Sequence, residues 1–299
     1  MKKIALFFAL CAYIFVGCGG NEPEDVPIGP EIPVKQEHQV TILFTTQTTT
    51  RALLKSDAST AEDLISKVII FGVDDNNTII EKYPTVNNPS LTGTTLTVNI
   101  RVKSLYAIAN PSAAIEALTP ATVTDLTGMV GNFASTPKSP FLMSGKGSVI
   151  GNNVTVELIR AIAKVGITGK NDFQISTVTV MNTPNEGYVF KKETFSIPGS
   201  TTRVSYPVLN SSTPMLYVAE NNRQNPTQFV VTGQLYGKNA SYTIVLKSEG
   251  QDIDIVRNTF YQVDITPITE SECAVSVTIP GWNDVGTDDH VIPDDNFES

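Results

Sequence analysis

Few side chains in this 299-residue sequence have the type and spacing that chemistry needs. The sequence holds 3 cysteines (Cys11, Cys18 and Cys273) and 2 histidines, His38 and His290. Two histidines do not build the His-rich sites of most zinc enzymes. No motif sets either one beside Cys273, so there is no Cys–His nucleophile pattern. Ser144-Gly145-Lys146-Gly147-Ser148 has the look of a phosphate loop, but the position five residues before Gly145 is Pro140, and Lys146 is followed by Gly147 instead of Ser or Thr. Asp74-Asp75 and Asp288-Asp289 lack the alternating carboxylates of a calcium loop and read as solvated turns. No paired-carboxylate or Ser-His-Asp pattern emerges. The reading is a protein without enzymatic activity, with no metal and no cofactor.

Two positions do carry a chemical reading. Residues 1–17 have Lys2 and Lys3 ahead of an apolar run from Ile4 to Val16, too short to span a bilayer, and so read as an export signal. The run closes on Phe15-Val16-Gly17-Cys18, the bacterial lipoprotein pattern, in which the Cys18 thiol accepts diacylglycerol. Lipidation of Cys18 leaves Cys273 without a disulfide partner. Cys273 opens a period-two run to Ile279 and reads as a buried small apolar residue. The second position is Arg51. It ends a threonine-rich polar stretch and precedes Ala52-Leu53-Leu54, between a first strand and the rest of the chain. Cutting there would detach a strand. Unpaired N–H and C=O groups and an apolar groove would remain, and another chain could fill them by strand addition. Physics alone leaves Arg51 an ordinary loop residue.

Composition narrows the class. The formal net charge is −9, which argues against nucleic-acid binding. Only 17% of residues are charged while 41% are hydrophobic, and threonine is abundant. β-branched residues of that kind favour strands.

The elements that must position these residues read as β throughout. Residues 18–39 form an acidic, Pro-rich tether with Pro23, Pro27, Pro30 and Pro33. Residues 40–51 hold a first strand, with Val40, Ile42 and Phe44 alternating, and the loop that ends at Arg51. Lys67–Val73, Leu96–Val102 and Leu105–Ala109 read as strands. A short helix is expected after Ala109, with Asn110 as cap, Pro111 in its first turn and Ala113 to Leu118 as its body, and a second between Thr122 and Val130. Val154–Leu158, running into Ile159–Ile167, opens a second series of strands that ends at Cys273–Ile279. The predicted organisation is two β-sandwich domains, residues 52–150 and 151–299, divided near Ser148–Asn153.

Several segments together resemble FimA-type fimbrillins, the subunits of type V pili in Bacteroidales. They are Val40–Ala52 with Val68-Ile69-Ile70-Phe71, Leu105–Asn110, Phe141–Gly145, Arg160–Val165, Leu216–Asn221 and Tyr261–Ile265. An acidic stretch after the lipidated cysteine also resembles surface-export signals of related bacteria. The resemblance implies a mainly β protein of two tandem transthyretin-like sandwiches, with one or two short helices in the first. It implies a lipoprotein precursor at the outer membrane, cut by an Arg-specific protease between Arg51 and Ala52, and polymerised with copies of itself and related pilins. The implied donor is the C-terminal segment, where Val275, Val277, Ile279 and Trp282 are the candidates. Two other readings stand beside it: an anchor or accessory lipoprotein that keeps its first strand, and a surface glycan-binding lipoprotein.

Overall fold

The computed structural model describes residues 36–46, 61–90, 93–133, 136–199, 203–208, 214–280 and 282. The described part up to Arg160 holds β1 (Glu37–Thr46), β2 (Lys67–Val73), β3 (Ile79–Lys82), β4 (Val86–Asn87), β5 (Thr94–Asn99) and β6 (Ser104–Ala109). Helices α1 (Ala113–Glu116) and α2 (Val123–Thr127) come next, then β7 (Val130–Asn132), β8 (Met143–Ser148) and β9 (Asn153–Arg160). These strands form one sheet in the order β3-β2-β6-β8-β9-β1-β5, with β4 also on β2, while β7 stands apart. The sheet folds over on itself. Val68 and Ile70 of β2 and Leu105, Ala107 and Ala109 of β6 share a core with Val40, Ile42 and Phe44 of β1, Val98 of β5, and Val154, Val156 and Leu158 of β9.

The fold-over happens between β8 and β9, which pair only at Met143↔Arg160 and Ser144↔Ile159. Beyond those pairs the β9 backbone lies against the glycines of β8. A Cβ on Gly145 would stand 2.0 Å from the Glu157 carbonyl oxygen, and one on Gly147 would stand 2.2 Å from that of Thr155. The glycines of the Ser144–Ser148 motif thus serve close backbone approach inside a strand.

Both helices lie in the expected places, and the first has a different cap from the expected Asn110. α1 is capped by Ser112, whose side chain accepts from the Ile115 N–H. Asn110 adopts φ 52° instead of capping. Its Oδ1 accepts from the Ser66 N–H and its Nδ2 donates to the carbonyls of Leu64 and Phe141, so it staples three segments together. The reason is that a short Asn side chain tolerates the left-handed region and is worth more as a bridge there. α2 starts with a capping box between Thr122 and Asp125. Both helices cover the outer face of β2 and β6, where Ile69, Phe71, Tyr106 and Ile108 pack with Ile115 and Leu126.

The expected continuous run from Val154 to Ile167 is two strands. β10 (Ile162–Gly169) begins after Ala161, so sheet membership changes there, whereas Ser148–Asn153 spans the end of β8, the connection and the start of β9. The remaining strands are β11 (Gln174–Pro184), β12 (Glu186–Tyr188), β13 (Arg203–Val208), β14 (Met215–Ala219), β15 (Gln228–Leu235), β16 (Lys238–Ile244), β17 (Lys247–Ser248), β18 (Gln251–Asp252), β19 (Phe260–Pro267) and β20 (Cys273–Thr278). Two sheets, β14-β10-β19-β20 and β13-β11-β15-β16, make a sandwich. Val165, Ile167, Val263 and Ile265 of the first face Val178, Val180, Phe229 and Val231 of the second. β12 leaves this sandwich to pair with β7, and Val189 and Phe190 pack under the helices of the first half. The described residues are therefore mainly β, with two sandwich-like halves and two short helices in the first.

Gly145→Ala should lower the stability by about 1–3 kcal/mol, the usual cost of overpacking. A lower urea midpoint at unchanged slope would register it. An unchanged midpoint would mean that the β8–β9 approach is looser than described.

Candidate functional site

Two arrangements have functional potential: the slot that holds β1, and a charged cluster buried where the two halves meet. β1 is an inner strand. It runs antiparallel to β5, from Glu37↔Asn99 to Ile42↔Thr94, and parallel to β9, from Thr41↔Asn153 to Thr46↔Leu158. Val40, Ile42 and Phe44 point inward and are almost fully buried, while Leu43 on the other face is 39% exposed. Full burial of three such side chains contributes roughly 5–9 kcal/mol on transfer scales. β5 lies at the end of the sheet path with β1 as its neighbour. Removing β1 would leave β9 and β5 with facing, unpaired edges.

Arg51 and Ala52, the expected cleavage pair, lie outside the described residues, as do Cys18 and His290. The described chain resumes at Ala61, and Glu62 is at once drawn into the interior at 5% exposure. There it meets the outer face of the β14-β10-β19 sheet. Along β10, Ala163 and Val165 face the sandwich core, so Ile162 and Lys164 face the other way. Lys164 is paired in register with Tyr217 of β14 and Phe260 of β19.

Both Glu62 carboxylate oxygens lie 3.1 Å from Lys164 Nζ. The Tyr217 hydroxyl donates to Oε1, and Trp282 Nε1 donates to Oε2 at 3.1 Å. Arg160, fully buried at the end of β9, donates from Nε to the Glu62 carbonyl at 3.3 Å and from Nη1 to Asn258 Oδ1 at 2.9 Å. It also forms an ion pair with Asp63. Its guanidinium lies 4.5 Å from the centre of the Trp282 ring, a cation–π contact. Phe141 and Ile162 close the apolar side of Trp282. Burial pulls the Arg160 guanidinium below its ordinary value, opposed by Asp63 and Glu62. Burial, then the hydrogen bond to Glu62, pushes the Tyr217 phenol well above 10.0.

A second buried pair sits nearby. Arg257 Nε donates to Glu220 Oε2 at 2.7 Å, and its Nη1 donates to the Val189 carbonyl at 2.9 Å. It fixes the segment that crosses back to the first half. Charges at such depth persist only with partners this complete.

The expected donor residues lie in two places. Val275 and Val277 are in β20, an edge strand paired with β19, where Val277 is 8% exposed against the sandwich core. Ile279 follows the strand and is 42% exposed, whereas Trp282 is fully buried in the junction cluster. Cys273 is half-buried, and burial pushes its thiol pKa up, as suits an unreactive thiol. Sequence reasoning missed Glu62, Asp63, Tyr217, Asn258 and the Arg257–Glu220 pair. The available signal was Arg160 and Lys164, two cations four residues apart in an otherwise apolar strand run.

No family model and no curated protein matches the sequence. Solved structures do match. A candidate cell adhesion protein from Bacteroides eggerthii shares the architecture with a TM-score of 0.60, over 82% of this chain and 96% of that one, at 17% identity. The tip fimbrial protein Mfa3 from Porphyromonas gingivalis gives a TM-score of 0.57 over 82% of this chain and 100% of that one, at 14% identity. A fimbrial assembly protein from Parabacteroides distasonis gives 0.57 over 82% and 99%, at 14% identity. The chain thus has the fold of Bacteroidales fimbrial and adhesion proteins.

The raised Tyr217 phenol makes a pH prediction. A group whose folded pKa lies above its unfolded value stabilises fully below the unfolded value, and that contribution is lost as pH rises through the folded one. Thermal melts between about pH 8 and about pH 11 should show stability falling at the alkaline end, with a shallower fall in Tyr217→Phe. Identical slopes in the two proteins would exclude Tyr217 as a contributor.

Proposed function

We propose that this protein is a structural subunit of a cell-surface fimbria of the FimA type that supports adhesion, without catalytic activity. In this reading the precursor is exported as a lipoprotein and held at the outer membrane by acyl chains on Cys18. An Arg-specific protease then cuts between Arg51 and Ala52, β1 leaves, and a segment from a neighbouring copy or related pilin fills the slot. The C-terminal segment supplies that strand.

The observation that carries the reading is the position of β1. It is bracketed by β5 and β9 and buries Val40, Ile42 and Phe44. The chain runs from it to β2 through the stretch that contains Arg51. Once that link is cut, β1 is held by non-covalent contacts, chiefly its two ladders and the burial of Val40, Ile42 and Phe44. A strand with the same alternation can replace it, because the slot recognises backbone hydrogen bonds and side-chain parity more than identity. Val275, Val277 and Ile279 have that spacing. The likeness in fold to the Porphyromonas tip fimbrial protein and the Parabacteroides fimbrial assembly protein supports the same direction.

Limited digestion of the purified precursor with an Arg-specific protease tests this. Cleavage at Arg51 should be followed by ladders of SDS-resistant polymers, and Arg51→Ala should stay monomeric under the same treatment. Equal polymerisation of both proteins would sink the strand-release step. A precursor that is cut yet retains β1 and stays monomeric would point instead to an anchor or accessory subunit.

A further inference from the structure

The junction cluster does more than join the two halves, because of which segments it binds together. Glu62 is the first buried side chain among the described residues that follow Arg51. Trp282 lies just past the end of β20. One carboxylate therefore connects the start of the chain downstream of the expected cut to the exit of the last strand. β20 is an edge strand whose sheet partner is β19. At its start it is held by a tight turn in which the Ile268 N–H donates to the Glu272 carbonyl at 2.8 Å. At its far end Ile279 is exposed, and among the described residues Trp282 is the buried side chain that follows it.

We infer that Trp282, seated against Arg160 and hydrogen-bonded to Glu62, is a latch that keeps β20 in its own sandwich, and that its withdrawal controls when the C-terminal segment can serve a neighbour. The inference rests on the strand-exchange reading and adds to it a control point. Withdrawing the indole breaks the Nε1–Glu62 hydrogen bond and the cation–π contact with Arg160. It leaves Lys164, Tyr217, Arg160 and Asp63 still able to pair with Glu62 or with each other. The opening therefore strands no buried charge, which distinguishes a latch from a structural keystone. After Trp282 leaves, β20 is held to the second half by the β19 ladder and by Val275 and Val277.

The sequence contains 1 Trp, so intrinsic fluorescence reports this position alone. The full-length precursor should emit at short wavelength and resist acrylamide quenching. Glu62→Gln weakens a charge-assisted hydrogen bond and should raise the open fraction on the order of tenfold, read as increased quenching and a red shift. Tyr217→Phe removes one partner of Glu62 without disturbing a charge, so it keeps the test usable if Glu62→Gln fails to fold. Either folded variant should also form ladders faster than wild type after Arg-specific cleavage. Equal quenching in wild type and in the folded variants would overturn the role of Glu62 as keeper. Wild-type ladders in which Trp282 stays as protected as in the precursor would overturn the latch while leaving strand exchange intact. Failure of every protein to form ladders would overturn strand exchange, and the quenching of the uncut variants would still decide whether Glu62 holds the indole.

Discussion

The arrangement of the two halves depends on one constraint: a carboxylate, a guanidinium and an ammonium have been taken out of water together at the place where the sheets meet. Separately, each ion would cost several kcal/mol to bury, and losing one partner would leave the others uncompensated. Glu62, Arg160 and Lys164 therefore fix one another's positions, and through them fix the end of β9, the start of β10 and the segment entering β2. Apolar packing at this junction could slide. A set of directional donors and acceptors, with Asn258 and Tyr217 completing it, specifies one register.

The first half is organised around a different economy of contact. Its sheet returns upon itself through glycines where two backbones nearly touch, and β1 closes the resulting core as an inner strand that comes first in the chain. An inner strand that comes first among the described strands can be exchanged without re-threading the strands that follow it. The second half lacks this property at its start, since β10 pairs with both β14 and β19 and carries Lys164 into the junction. Among its described strands, β20 comes last and lies at an end of its sheet.

Much of this was legible in the sequence. The alternation of Val40, Ile42 and Phe44, and the apolar run of Lys67–Val73, announced their strands because one face or both had to be buried. The first helix was visible in the good helix formers from Ala113 to Leu118 and the second in its place between Thr122 and Val130, although Asn110 misled as a cap because its amide serves backbone groups of two distant segments that no local pattern encodes. The break at Ala161 was not legible: β9 and β10 form an unbroken strand-like run, and only tertiary pairing assigns them to different sheets. Trp282 was read as a donor candidate because it lies in the same C-terminal segment as Val275, Val277 and Ile279, whereas its indole is held by Glu62 and Arg160, more than a hundred residues away. Long-range polar partnership leaves no periodic trace. Arg160 and Lys164 were its only hint, as charges in an apolar run that required partners from elsewhere.

The slot around β1 has a consequence for the valence of the molecule. Its two rims, β5 and β9, face each other across the width of a single strand, unlike an open sheet edge, which can recruit strand after strand. If β1 is exchanged for a neighbour's segment, each subunit accepts one strand and, with one separable strand of its own, offers one. Units with one acceptor and one donor add end to end and do not branch. The geometry of a seven-strand path with its sixth strand removable would thus set the dimensionality of the assembly, a thread in place of a mesh.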